Sequence, residues 1–102
     1  MVTVVAILKA REGKAKEMET AIRAYLPKVQ KEKGTLAYIL HRSQMDPGKF
    51  LFYEKYQDSE ALAVHGQSQE FQGLFAQVGP LLAEQPSIEM YEELAAKNLV
   101  FY

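Results

Sequence analysis

From Val2 to Leu8 the chain is an almost unbroken, β-branched apolar run of strand length, which predicts a strand covered on both sides. After Gly13 the period changes. Ala15, Met18, Ile22, Tyr25 and Val29 recur at alternating threes and fours, with Lys16, Glu17, Glu19, Arg23 and Lys28 between them. That spacing predicts an amphipathic helix. Pro27 lies inside it and should kink the helix or open its last turn, because proline lacks the backbone donor. Gly34, after Lys31 and Lys33, is expected to end it.

Two strands should follow, Thr35 to Ser43 and Lys49 to Gln57, joined through Asp46-Pro47-Gly48, whose residue types favour a tight turn. Asp58 is placed to cap a helix, although the acid that would complete a capping box is not three residues on, where Ala61 stands. Ala61, Leu62 and His65 share one face of that helix. Gly66 should break it, and Ser68 should cap a further segment carrying Phe71, Leu74, Phe75 and Val78, ended by Gly79-Pro80. Ser87 to Leu94 alternates weakly as a fourth strand.

The order β-α-β-β-α-β predicts an α+β fold of ferredoxin-like type, an antiparallel sheet with helices on one face. One domain over residues 1–94 and a tail over 95–102 with an apolar end, Leu99 to Tyr102, account for the chain. The hairpin is apolar on both faces: Leu36, Tyr38 and Leu40 alternate with Ala37, Ile39 and His41, and Phe50, Phe52 and Tyr56 with Leu51 and Tyr53. A helix-free face of that kind exposes more apolar surface than a monomer usually carries, so a homodimer with two sheets face to face is expected. The tail could join that contact.

Composition narrows the classes. With 102 residues, 48% hydrophobic and 25% charged, the chain suits one folded domain. A net charge of -1 provides no general attraction to nucleic acid or to an anionic membrane, and the longest apolar runs are far too short to span one. The absence of cysteine excludes disulfides and thiolate chemistry and favours a cytoplasmic setting. Two histidines, His41 and His65, are too few for a convincing metal site, and no phosphate loop, H-E-x-x-H or serine elbow occurs, so no metal and no cofactor are expected.

From Gly34 onward, Gly34, Tyr38, Arg42-Ser43, Asp46-Pro47, Phe50, Tyr53-Glu54, Asp58, Ala61, His65, Ser68 and Phe71 stand at fixed spacing. This arrangement closely resembles the antibiotic biosynthesis monooxygenase family, in particular its small quinol monooxygenase-like members. The resemblance implies a dimeric α+β barrel. It also implies a choice of chemistries, since members include oxygenases of dihydroxy-aromatic compounds that need no cofactor, haem-degrading proteins and an isomerase-type enzyme. Haem is disfavoured here, because the chain has no tryptophan and its one asparagine, Asn98, lies in the tail.

On this reading His65 is the catalytic base, since imidazole can accept a phenolic proton near neutrality, and the alternative is a histidine that ties a helix end to the sheet. Glu54, in an apolar strand, needs a partner. Either His65 is that partner, so that the carboxylate orients the imidazole and Glu54 is also catalytic, or the acid pairs with Arg42 or Lys55. Tyr38, Tyr53 and Phe52 could line an aromatic pocket or could be core and dimer contacts, and Arg42 could hold an anionic substrate group or pair across a dimer. The expected function is therefore a cofactor-independent monooxygenase or oxidase of a quinol or dihydroxy-aromatic, with dioxygen as the second substrate. The rivals are an acid-base isomerase of a small keto-compound and a non-catalytic dimer that binds a small aromatic.

Overall fold

The computed structural model describes residues 1–97, so the apolar end Leu99 to Tyr102, and any part it has in a dimer contact, lies outside the described residues. Strands β1 (Val2–Lys9), β2 (Thr35–Arg42), β3 (Lys49–Tyr56) and β4 (Ser87–Glu92) alternate with helices α1 (Ala15–Val29), α2 (Ser59–Gln67) and α3 (Gln69–Val78), and a 3-10 turn covers Gly79–Leu81. The sheet runs β2-β3-β1-β4, and every neighbouring pair is antiparallel. This is the ferredoxin-like α+β fold.

Local chemistry sets the ends of these elements. Gly13 takes φ +79 in the turn before α1, a conformation that side chains other than glycine's rarely adopt. The helix continues past Pro27 and ends at Val29, five residues before Gly34. Gly34 therefore does not cap it. The Asp58 carboxylate accepts from the Ala61 N–H at 2.8 Å and starts α2. That helix runs through Gly66, and the chain bends at Ser68, whose backbone is extended and whose Oγ accepts from the Phe71 N–H to begin α3.

The register decides the faces of the sheet. Val4 lies opposite Glu54, Ala6 opposite Phe52 and Leu8 opposite Phe50, while Tyr38 and Leu40 oppose the same Glu54 and Phe52 from β2. With period two, these residues share the face that α1 and α3 cover. There Ala6, Leu8, Phe50 and Phe52 pack with Met18, Ile22, Tyr25, Leu74 and Val78 in one core, with Tyr38 and Leu40 against it. Val5, Ile7, Leu51, Tyr53 and Ile39 fall on the other face, which no helix covers. Residues 93–97 border that face, and Lys55, almost fully buried there, hydrogen-bonds to Thr3 and forms an ion pair with Glu93. At the sheet edge β4 is exposed along its whole length.

Candidate active site

The sheet order places β1 and β3 at the centre. Between these strands and residues of α2 and α3 lies a cavity of about 160 Å3 walled by Val4, Ala6, Leu8, Phe52, Phe71, Phe75 and their neighbours. Three polar side chains, Tyr38, Glu54 and His65, interrupt an otherwise apolar lining. The volume is close to that of an engineered protein cavity, about 150 Å3, that takes up one benzene ring.

His65 belongs to the last turn of α2. Its carbonyl accepts from the Ser68 hydroxyl at 2.8 Å and from the Ser68 N–H, so the bend between the two helices pins its backbone. The ring is 2% exposed and sits among Phe71, Tyr38 and Tyr56, with ring centroids 4.8, 5.2 and 5.4 Å away. Its Nδ1 lies 2.8 Å from Glu32 Oε1. A carboxylate only accepts, so Nδ1 carries the proton of this contact, and in the neutral ring Nε2 is the bare acceptor. Nε2 is buried and, among the described residues, has no hydrogen-bond partner. A buried acceptor without a partner costs about 1–3 kcal/mol, a cost that a ligand donor in the cavity would remove.

The turn after α1 brings Glu32 to this histidine. Glu32 also accepts from the Thr35 hydroxyl at 2.8 Å, and the Gln57 N–H donates to the Gly34 carbonyl at 2.9 Å, tying the turn to the end of β3. Gly34 lets α2 lie directly on this turn, because a Cβ at position 34 would stand 2.5 Å from Ala61 Cβ. Sequence reasoning missed Glu32. Placed between Lys31 and Lys33 before a glycine, it reads as one more solvated charge.

Glu54 is 5% exposed and does not bond to His65, so the first of the two pairings considered for it does not form, and each residue has its own partner. Its Oε1 accepts from the Tyr56 hydroxyl at 2.5 Å. Neither cation proposed for it is in reach. Lys55, the next residue of β3, faces the other side of the sheet, while Arg42 pairs with Glu19 and lies over the Phe50 ring. Left without a cation, Glu54 is pushed up to about 7, chiefly by burial and also by the nearby Glu32, against the lowering effect of the Tyr56 hydrogen bond. Burial likewise raises Tyr25, Tyr38 and Tyr56, with Glu54 adding to each, so their hydroxyls keep their protons.

Of the four expected substrate contacts, Tyr38 and Phe52 line the cavity. Tyr53 and Arg42 do not. Tyr53 lies on the helix-free face beside Lys55, whose Nζ is 5.7 Å from its ring centroid, because its register is one residue off that of Phe52 and Glu54. Among the described residues, no group of three or more histidine or acidic side chains is placed to hold a metal ion, and no helix is long and apolar enough to cross a membrane.

A ferredoxin-like sheet with a small apolar cavity and an oriented imidazole defines a protein built to handle a small molecule. The family model for antibiotic biosynthesis monooxygenase matches residues 1–77, and the chain belongs to that family. Among solved structures, a Caulobacter crescentus protein provisionally described as an antibiotic biosynthesis monooxygenase is 35% identical, with a TM-score of 0.88 over 92% of this chain and 90% of that one. A protein from Shewanella oneidensis is 31% identical, with a TM-score of 0.82 over 88% and 87% of the two chains. One from Nitrosomonas europaea, at 21% identity and a TM-score of 0.89 over 93% and 100%, shares the fold. No curated protein sequence matches the chain.

Proposed function

We propose that this protein is a cofactor-independent oxygenase or oxidase of a single-ring quinol or related dihydroxy-aromatic. The observation that carries the reading is the unpartnered Nε2 of His65, buried on an apolar cavity of ring size and held in one tautomer through Nδ1 by Glu32. The arrangement follows the logic of an oriented base, in which a carboxylate fixes the imidazole and stabilises its cation. Nε2 takes a phenolic proton, and Tyr38, which lines the same cavity, is assigned the hydrogen bond to a substrate oxygen. The resulting anion is electron-rich enough to pass electrons to dioxygen. As an oxidase the reaction balances as quinol plus dioxygen giving quinone plus hydrogen peroxide. As a monooxygenase it gives a hydroxyquinone plus water.

Two copies are proposed to pair through the helix-free face, as in the dimeric barrel that the sequence suggests. Support comes from the row of half-buried or exposed apolar residues there, Val5, Ile7, Leu51, Tyr53 and Ile39. Oxygen uptake with a panel of one-ring and two-ring quinols tests the function. His65→Ala should abolish enzyme-dependent uptake, and equal rates in variant and parent would reject the base. Turnover that persists without oxygen would instead favour an isomerase.

A further inference from the structure

Glu54 meets neither His65 nor Arg42 nor Lys55, the partners considered for it, and so is left without the role any of them would have given it. It still borders the cavity, 5% exposed, on the central strand of the sheet, while His65 borders the same cavity from α2. The Tyr56 hydroxyl donates to its Oε1, and the residue lines the cavity beside Val4 and Phe52. Near the carboxyl stand Tyr38 from β2, Tyr25 from α1 and Glu32 from the following turn, and His65 from α2 lines the same cavity. Strand β1 opposes it with Val4 and β4 carries Met90 in the same row, both without charge. Neither a lysine nor an arginine stands among these groups to hold Glu54 as an anion.

We propose that Glu54 is a catalytic acid facing the His65 base across the cavity, and that it delivers a proton to dioxygen as the substrate reduces it. The inference rests on the quinol reading and adds the second half of its proton balance. His65 removes one phenolic proton, two electrons pass from the substrate to dioxygen, and the two O–H bonds of hydrogen peroxide form with one proton from Glu54 and one from the second phenolic hydroxyl. Quinone and peroxide leave an imidazolium and a carboxylate behind. One proton returned from His65 to Glu54 through solvent resets the site. Low local polarity makes the step worthwhile, because an unneutralised superoxide or peroxide anion in an apolar cavity is costly.

The test is oxygen uptake with methylhydroquinone by the parent, E54Q and H65A across neutral pH, together with the infrared C=O stretch of a protonated carboxyl. The parent rate should fall as pH rises through about 7, where Glu54 loses its proton. E54Q should be slower by roughly a hundredfold or more and lose that dependence. The carboxyl band should be present in the parent at about pH 6, vanish on the same titration and be missing in E54Q. No uptake by the parent would reject the quinol reading and this inference with it. Uptake by E54Q equal to the parent's, or no carboxyl band at about pH 6, would reject the acid while leaving the His65 base standing.

Discussion

Glu54→Gln should remove most of the pH dependence that this site imposes on stability. Glutamine has the shape of a protonated glutamic acid, and its Oε1 can still accept from the Tyr56 hydroxyl, so the substitution copies one protonation state and deletes the other. In the folded chain Glu54 titrates at about 7 against an ordinary value of 4.5. At about 1.4 kcal/mol for each tenfold difference in proton affinity, the gap corresponds to on the order of 3 kcal/mol. Its sign follows from which state binds the proton. Between pH 4.5 and about 7 the folded protein holds a proton that the unfolded chain has released, so this stabilisation is complete below 4.5 and is lost as pH rises through about 7. Urea unfolding of both proteins at several pH values measures the difference directly, because other titrating groups largely cancel between them. The parent should lose on the order of 3 kcal/mol relative to the variant between about pH 4 and about pH 9. A difference that stays constant across this range would refute the assignment of a raised Glu54.

Glu32→Ala should cut kcat by roughly a hundredfold or more with little change in KM, since it frees the His65 ring without touching the cavity wall; initial rates over a range of quinol concentrations measure the split. Gly34→Ala should destabilise by about 1–3 kcal/mol through its clash with Ala61, and a double-mutant cycle with Ala61→Gly should recover part of that loss in thermal unfolding. Phe75→Ala enlarges the cavity and should raise kcat/KM for two-ring quinols over one-ring quinols by about tenfold, read from competing-substrate assays. Leu51→Asp on the helix-free face should convert a dimer to monomer in sedimentation velocity, without loss of the far-UV circular dichroism of the fold.

The fold was legible because periodicity and turn chemistry agreed at nearly every junction: the Asp58 and Ser68 caps, the turn at Asp46-Pro47-Gly48 and the alternation in β3 all form as the residues dictate. Gly34 and Gly66 misled for a physical reason. Gly66 sits in a helix that tolerates it, while Gly34 is needed for a close approach and not for a cap. At the candidate site, the residue pattern singled out His65, Tyr38, Phe52 and Glu54, which line one cavity, together with Tyr53 and Arg42, which do not, and it did not carry the pairing. A carboxylate buried in a strand invites the assumption of a nearby cation or imidazole. Tyr56, two residues on and on the same face, was the available signal for its true partner. Glu32 lies 33 positions from His65 and meets it only because the turn after α1 packs against α2, a tertiary fact that no local pattern carries.

The edge position of β4 has a consequence for specificity. Ile88 helps wall the cavity from within, yet 57% of it faces outward, and Met90 beside it is exposed as well. Most of the cavity lining is also core, so resizing it from Phe52 or Leu74 disturbs packing that the whole domain depends on. A side chain exchanged at position 88 meets few such neighbours. The bore of the cavity can thus be widened or narrowed from the rim almost independently of the stability of the protein. Changes of substrate preference should therefore be easiest to select at β4, the least buried strand of the sheet.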